Sequence, residues 1–120
     1  MEWTIVNYDS LMDNIKRIHF IGIGGSGMCP LAEILHHEGY ELSGSDMNEG
    51  ETLDRIKGYG IPVFMGHAAE NIKGAELVVY SAAVKETNPE RQAAKELGIP
   101  CIERSVMLGI VTRRYRRSIA

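Results

Sequence analysis

A glycine-rich turn, residues 22–28, constrains this sequence more than any other feature. Glycines at positions 22, 24 and 27 form the pattern G-x-G-x-x-G, directly after an apolar segment and directly before an amphipathic one. Between a strand and a helix, the first glycine permits a tight turn and the second lets a pyrophosphate approach the backbone. The third lets the helix pack closely on the strand, and the helix start presents unpaired N–H groups and about half a positive charge. The turn therefore predicts a site for a nucleotide diphosphate, with a glycine turn kept only for packing as the alternative.

Strand-like and helix-like segments alternate along the chain. Apolar, β-branched runs predict the strands, and apolar residues at i, i+3, i+4 and i+7 predict the helices between them. The strands are expected at residues 17–21, 40–43, 61–65, 77–80 and 100–102, and the helices at about 9–15, 28–38, 51–57, 89–97 and 105–115. Short connections between such elements are typical of a Rossmann-like, doubly wound α/β fold with a mostly parallel five-stranded sheet and helices on both faces. We expect one domain over residues 1–120, with residues 1–16 as an N-terminal extension.

Local signals define the ends of two helices. Proline is tolerated at the third helical position, so Pro30 favours Gly27 over Ser26 as the N-cap of the helix after the glycine turn. The Asn-Pro pair at residues 88–89 is a common helix start, because asparagine caps the first amides and proline needs no hydrogen bond there. Gly98 is expected in the left-handed conformation that ends this later helix.

Two polar residues stand out within or just after the predicted strands. Asp46 lies 19 residues after Gly27, which fits an acid that accepts a hydrogen bond from a ribose hydroxyl. A surface carboxylate at a strand end is the alternative. His19 interrupts the apolar first strand and is interpreted as a hydrogen-bonded structural residue. Taken alone, the turn and Asp46 favour a nicotinamide-dinucleotide domain, although neither feature identifies the base.

Charge and composition exclude several classes of protein. With 13 Lys and Arg against 16 Asp and Glu, the formal net charge is -3, so no overall field attracts nucleic acid. The arginine-rich segment 113–117 is interpreted as a helix end that faces a neighbouring domain. No apolar stretch is long enough to cross a membrane, and Cys29 and Cys101 lack the spacing of metal ligands. We therefore expect a cytoplasmic protein with free thiols and no bound metal, membrane or nucleic acid.

Several segments together resemble one enzyme family. They are residues 18–28 (IHFIGIGGSGM), residues 44–46 (GSD), Gly66-His67 with Asn71, residues 81–84 (SAAV) and residues 88–90 (NPE). These segments are similar to the Mur ligase family, and within it to the N-terminal domain of the UDP-N-acetylmuramate–L-alanine ligases. The first segment is the most specific, because Gly25 and Met28 are not required by the general dinucleotide pattern. The resemblance covers nearly all of residues 15–120.

The resemblance implies a UDP-sugar site. Its residues would be Gly22, Gly24, Gly25, Ser26, Gly27 and Met28 in the turn, together with Ser45, Asp46, His67, Ser81, Ala82 and Ala83. Backbone amides of the turn would hold the diphosphate, and Asp46 with Ser45 would take the uridine ribose. His67 would lie beside the ribose and uracil, and residues 81–83 would line the uracil. A water-exposed loop position is the alternative for His67, and a polar strand end is the alternative for Ser81.

The same resemblance implies a function. The chain would be the UDP-N-acetylmuramate-binding domain of the ATP-dependent carbon–nitrogen ligase that adds L-alanine to this precursor in peptidoglycan synthesis. Such ligases use ATP and Mg²⁺, which with L-alanine would bind an ATPase domain and a C-terminal domain. The sequence contains no P-loop lysine pattern. We therefore expect those two domains to be absent from the chain, and the chain alone to hold no cofactor or catalytic residue and to catalyse nothing.

Two other classes remain open. One is the NAD(P)-binding Rossmann domain of an oxidoreductase, which would use the same turn and Asp46 but requires a substrate domain with its own acid and base residues. The other is the NAD(P)-binding domain of a ligand-sensing regulator. A regulator domain can be this short, but it does not account for Gly66-His67 or for residues 81–90.

Overall fold

The computed structural model describes residues 15–25 and 27–119, with side chains up to residue 113. Along the chain it contains β1 (Arg17–Ile21), α1 (Met28–His37), β2 (Glu41–Asp46), α2 (Glu51–Gly58), β3 (Val63–Met65), a 3₁₀ helix (Ala69–Ile72), β4 (Leu77–Tyr80), α3 (Pro89–Leu97), β5 (Cys101–Glu103) and α4 (Arg104–Ile119). The predicted helix near residues 9–15 and the loop residue Ser26 lie outside the described residues. Among the described helices, none is long and apolar enough to cross a lipid bilayer.

The strands form one parallel sheet in the order β3-β2-β1-β4-β5. This confirms the predicted doubly wound α/β fold. The order of the strands reverses at β1, which lies between β2 and β4, so that Ile21 at its end pairs with Ser45 on one side and Tyr80 on the other. In such sheets ligands bind outside the carboxyl ends of the strands at this reversal. The fold therefore places the glycine turn, which follows β1 directly, at the expected binding edge.

Two apolar clusters cover the two faces of the sheet. Alternate residues of a strand point to opposite faces. Accordingly Ile18 and Phe20 of β1 pack with α1, α2 and α4 on one face, whereas Ile21 packs with β4 and α3 on the other. His19 shares the α3 face with Ile21 and is fully buried there. The alternation thus places a titratable side chain between the sheet and the start of α3.

Several predicted boundaries were confirmed and others were wrong. Gly27 is the N-cap of α1, so Pro30 occupies the third helical position as expected. Asn88 caps α3, and Gly98 ends it in the left-handed conformation with φ 72°. The second strand continues to Asp46 rather than stopping at residue 43, because its last residues pair with β3. Other differences include a later start of β3, a shift of β5 by one residue and the unpredicted 3₁₀ helix. Helix α4 starts one residue earlier than predicted and ends at Ile119 rather than near residue 115.

A glycine inside β2 explains why this strand can run so close to the glycine turn. A β-carbon on Gly44 would lie 2.6 Å from Cβ and Cγ2 of Ile23, far inside van der Waals contact. Only glycine therefore leaves room for the first residues of the turn to pack over β2. This packing role of Gly44 could not be predicted from the sequence, where Gly44 is only part of a family segment.

Candidate functional site

The glycine turn is fastened to the end of β2. The amides of Gly22 and Ile23 both donate to the Ser45 carbonyl, at 2.7 and 3.1 Å. Gly22 has φ 79°, a left-handed conformation that glycine adopts without the steric cost of a side chain. These contacts confirm the expected tight turn at this position. They also show that Ser45 orients the turn through its backbone.

Asp46 holds the next residue of the turn. Its Oδ2 accepts a hydrogen bond from the Gly24 amide at 2.9 Å, and its Oδ1 accepts from the amides of Met47 and Asn48. A β-carbon on Gly24 would lie 3.0 Å from Oδ2 of Asp46 and 3.2 Å from Cδ1 of Leu53. The carboxylate expected to bind a ribose is therefore also the anchor of the turn.

Most amides of the turn are already used within the protein. Besides the amides bound by Ser45 and Asp46, that of Gly25 donates to the Gly22 carbonyl, and those of Met28 and Cys29 donate to the Gly25 carbonyl. Among the described residues of the turn, the Gly27 amide alone has no acceptor. In this structure the amides of Gly24, Gly25 and Met28 therefore have acceptors within the protein, and the expectation that the amides of residues 24–28 hold a diphosphate stays a prediction.

A cavity of about 310 Å³ lies between the glycine turn and α2. It is lined by Gly22, Gly24, Gly25, Asp46, Asn48, Glu49, Gly50, Thr52 and Leu53. Its volume is at the lower end of the range of small-molecule sites. A larger cavity of about 500 Å³ lies at the opposite edge of the sheet, beside Arg17, His36 and Tyr40. We assign the ligand site to the smaller cavity because it is the one that touches the glycine turn.

A buried polar cluster, formed by Glu90, His19, Ser45, His67 and Asn71, lies next to the turn. Glu90, in the first turn of α3, has no exposed surface. Its Oε1 accepts from His19 Nε2 at 2.6 Å and from Ser45 Oγ at 2.7 Å, and its Oε2 accepts from Asn71 Nδ2 at 2.9 Å. The Ala68 amide also donates to Oε2, at 3.1 Å. The carboxylate thus joins β1, β2, the loop after β3 and α3.

The environment of Glu90 keeps it ionised. Burial raises the pKa of its carboxyl group, but hydrogen bonds from His19, Asn71 and Ser45 together lower it more, to about 2. A carboxylate in the first turn of a helix is also stabilised by the positive end of the helix dipole. At neutral pH the cluster therefore contains a buried negative charge surrounded by donors.

The cluster determines what His67 can offer to a ligand. Because the Ser45 hydroxyl proton points to Glu90, its oxygen accepts a hydrogen bond from His67 Nδ1 at 2.8 Å. In a neutral imidazole with Nδ1 protonated, Nε2 is an acceptor. The His67 side chain is 19% exposed, whereas Ser45 is fully buried. The Ser45 side chain, expected at the ribose, is therefore used inside the protein, and His67 lies at the border with solvent.

The turn after β4 presents small side chains at the same edge of the sheet. Ser81 is partly exposed and Ala82 and Ala83 are exposed. Arg91 supports this turn from α3, since its Nη1 donates to the Val84 carbonyl at 2.9 Å and its guanidinium stacks 3.9 Å from the centre of the Tyr80 ring. The structure thus places residues 81–83 at the same edge of the sheet as the glycine turn, with Arg91 as an unpredicted support; that they line a uracil stays a prediction.

The role of Glu90 could not be predicted from the sequence. An acidic residue in the first turn of a helix is common, so Glu90 carried no distinctive signal. His19 did carry one, because a histidine in a buried strand requires a partner, and the structure confirms that it is hydrogen-bonded. Within the described part of the chain, no group of three or more His, Cys, Asp or Glu side chains could hold a metal ion.

Sequence comparison connects this chain to one family. The model for "Mur ligase family, catalytic domain" matches residues 17–116. The chain is 51% identical over 109 residues to UDP-N-acetylmuramate–L-alanine ligase of Legionella pneumophila. This alignment covers 91% of this chain and 23% of that protein. It is also 51% identical over 106 residues to the enzyme of the same name from Alkaliphilus metalliredigens. That alignment covers 88% of this chain and 23% of the relative. The chain thus spans about a quarter of the length of these relatives.

Structure comparison gives related matches. UDP-N-acetylmuramate-alanine ligase from Thermotoga maritima matches with a TM-score of 0.79 and 34% identity, over 82% of this chain and 23% of that one. A UDP-N-acetylmuramate:L-alanyl-gamma-D-glutamyl-meso-diaminopimelate ligase from Neisseria matches with a TM-score of 0.69 and 32% identity. This match covers 75% of this chain and 29% of the ligase. Shikimate dehydrogenase from Aquifex aeolicus matches with a TM-score of 0.56 and 18% identity, and this match covers 89% of this chain and 50% of the dehydrogenase. The last match shows a common fold only.

Proposed function

Because this chain belongs to the Mur ligase family, we propose that it is the UDP-N-acetylmuramate-binding domain of an ATP-dependent ligase that adds L-alanine to this precursor in peptidoglycan synthesis. The choice within the family depends on one observation, the 51% identity to L-alanine-adding ligases over 91% of the chain. The oxidoreductase alternative lacks comparable support, since the dehydrogenase match is 18% identical. A nucleotide-activated sugar and ATP are both cytoplasmic compounds, which is our reason for proposing a cytoplasmic location.

We assign the UDP moiety to the carboxyl edge of β1, β2 and β4. The diphosphate would lie against the glycine turn that contains Gly22, Gly24, Gly25 and Gly27. At Gly22 the place of a β-carbon is open, with no heavy atom within 4 Å. Supporting this, the Gly27 amide has no acceptor among the described residues, and the cavity of about 310 Å³ opens at this turn. Ser26 and Met28 complete the proposed turn contacts, with Met28 acting through its place in the first turn of α1.

The uridine would lie towards Asp46, His67 and residues 81–83. Asp46 can accept a hydrogen bond from a ribose hydroxyl because its Oδ2 has one backbone partner, the Gly24 amide, and so keeps a second acceptor site. His67 can accept from a ribose hydroxyl or from the N–H of uracil through Nε2. The exposed turn at Ala82 and Ala83 is small enough for a flat base to pack against it. Ser45 contributes indirectly, by orienting both the glycine turn and His67.

The proposed role of the chain in the ligase is to hold the unreactive end of the substrate. In the complete reaction ATP activates the carboxylate of the muramoyl group, and L-alanine supplies the attacking amine. No catalytic residue, ATP site or Mg²⁺ site is assigned to this chain. Binding energy from a remote handle of this kind orients the reacting end and can thereby increase the rate.

Calorimetric titration of the chain tests this proposal. We expect UDP and UDP-N-acetylmuramate to bind, and NAD to bind at least about tenfold more weakly, because the edge offers acceptors suited to uridine. A chain that binds NAD and not UDP would contradict the proposal and support one of the two dinucleotide-binding alternatives. Uridine without phosphate serves as the control for the contribution of the diphosphate.

A further inference from the structure

The direction of the hydrogen bonds between Glu90, Ser45 and His67 is fixed by their chemistry. An ionised carboxylate can only accept, so the Ser45 hydroxyl donates its single proton to Oε1 of Glu90 at 2.7 Å. The Ser45 oxygen can then only accept from His67, so the 2.8 Å contact requires a proton on Nδ1. Oε2 of Glu90 lies 3.5 Å from the same Nδ1, where its negative charge also favours that proton. In the neutral ring, Nε2 is therefore an acceptor without a proton.

Glu90 also fixes the loop that carries His67. Its Oε2 accepts from the Ala68 amide at 3.1 Å and from Asn71 Nδ2 at 2.9 Å. The same Asn71 group donates to the Gly66 carbonyl at 3.0 Å. Both chain neighbours of His67 are thus tied to one buried carboxylate, directly or through Asn71. The ring is held through its backbone and its side chain, so Nε2 cannot exchange places with Nδ1 without breaking these contacts.

A fixed acceptor at this edge can distinguish between the two pyrimidine bases. Uracil carries a proton on N3, whereas cytosine has a lone pair on N3. Nε2 of His67 can accept from the uracil N–H, but it would meet the cytosine nitrogen lone pair to lone pair. A site built to pair with an N–H group rejects an analogue without it, because polar groups are then left unpaired. The His67 side chain is 19% exposed, so it can contact a ligand while Nδ1 stays bonded to the buried cluster.

We propose that Glu90, acting through Ser45, is a positioning residue that makes His67 select uracil over cytosine in the bound nucleotide. This inference rests on the proposed function, because it takes the ligand at this edge to be a uridine diphosphate derivative. It assigns the choice of base to a histidine tautomer that is set from inside the fold. It also gives a function to a carboxylate that is fully buried beside the site.

The test measures the dissociation constants of UDP and CDP by calorimetry at about pH 8, where imidazole is ordinarily neutral. We expect the wild type to prefer UDP by about 10- to 100-fold, the range for leaving a polar group unpaired. In Ser45→Ala the ring loses its direct acceptor, so the preference should fall by more than about threefold. In Glu90→Gln the amide oxygen is needed by the Ala68 amide. Its NH₂ group then faces Ser45 and turns the hydroxyl proton towards His67, so the preference for UDP should be lost.

Ser43→Ala is the matched control. Ser43 lies two residues earlier on β2, and its hydroxyl contacts Nδ1 of His19 at 2.8 Å, on the other side of Glu90. S43A therefore removes a hydroxyl from the same cluster without touching the link to His67, and it should keep the preference for UDP within about twofold. If Ser45 only supported the structure, S45A would weaken UDP and CDP equally and leave their ratio unchanged.

Nitrogen NMR of the ligand-free chain measures the tautomer directly, because the ¹⁵N shift of a ring nitrogen depends on whether it carries a proton. We expect the proton of His67 on Nδ1 in the wild type and in S43A, shared between the two nitrogens in S45A, and on Nε2 in E90Q. The spectrum of His67→Gln identifies which signals belong to this ring.

The possible outcomes separate this inference from the proposed function. If the wild type binds neither UDP nor CDP, the proposed function fails and the inference fails with it. If the wild type binds UDP but binds CDP equally well, or carries the His67 proton on Nε2, the proposed function stands and the inference is overturned. The inference is also overturned if S45A keeps the preference for UDP within about threefold, and this result decides the question if E90Q does not fold.

Discussion

Replacing Glu90 with glutamine is expected to lower the free energy of unfolding by about 3–5 kcal/mol, the range observed when one partner of a buried charged pair is removed. The carboxylate accepts from His19, Ser45, Asn71 and the Ala68 amide. Glutamine has one acceptor oxygen, and its NH₂ group would face donors across a site with no access to water. The decrease in the free energy of unfolding is large because the partners of Glu90 remain buried after the replacement.

Urea unfolding at pH 7 measures this effect. Glu96→Gln is the matched control, since Glu96 is exposed on the same helix and its replacement should change the free energy of unfolding by less than about 0.5 kcal/mol. An E90Q chain that is destabilised by less than about 1 kcal/mol would show that the cluster is not a major source of stability.

The difference in stability between wild type and E90Q should also depend on pH. The pKa of Glu90 is lowered from its ordinary value of 4.5 to about 2 in the folded chain, which corresponds to about 3 kcal/mol. A lowered folded-state pKa gives stability that is complete above about pH 5 and is lost as the pH falls from about 4.5 towards 2. Because His19 and His67 also face this carboxylate, the comparison with E90Q is needed. A difference that stays constant down to pH 3 would contradict the assigned charge.

Replacing Asp46 with asparagine is expected to weaken UDP binding by about 10- to 100-fold. Oδ2 of Asp46 accepts from the Gly24 amide and Oδ1 accepts from the amides of Met47 and Asn48. An asparagine keeps one oxygen, so its NH₂ group must face N–H groups that need an acceptor. If the NH₂ group faces Gly24, the glycine turn loses its anchor. If it faces Met47 and Asn48, the loop after β2 loses the hydrogen bonds that hold its shape. The variant also loses the charge proposed to face the ribose. Each lost charged hydrogen bond costs about 1.5–3 kcal/mol.

Calorimetry with UDP on D46N and on Asp54→Asn measures this effect. Asp54 is exposed on α2, so D54N controls for the loss of one negative charge near the turn. We expect D54N to bind UDP within about twofold of wild type. If D46N binds UDP as well as D54N does, then Asp46 neither anchors the turn in the complex nor contacts the ribose.

The parts of the fold that local sequence rules determine were predicted well. The Asn-Pro start of α3, the Gly27 cap of α1 and the order of strands and helices depend on residues close together in sequence. The end of β2 was wrong because it depends on pairing with β3, which contributes only three residues. Strand pairing is a long-range property that a run of polar residues such as Ser43–Asp46 does not indicate.

The candidate site was predicted less completely, for the same physical reason. His19 indicated that a buried partner exists, but its partner Glu90 lies on another element that the fold brings close. The glycine motif indicated that a backbone can approach a phosphate, but not that Ser45 and Asp46 take three of its amides, those of Gly22, Ile23 and Gly24.

A crystal structure of this chain with UDP-N-acetylmuramate tests the central claim most directly. The account predicts the two phosphates at the glycine turn, within hydrogen-bond distance of the Gly27 amide, with the ribose at Asp46. A complex with the precursor in the cavity beside Arg17 and His36, and nothing at the turn, would contradict it.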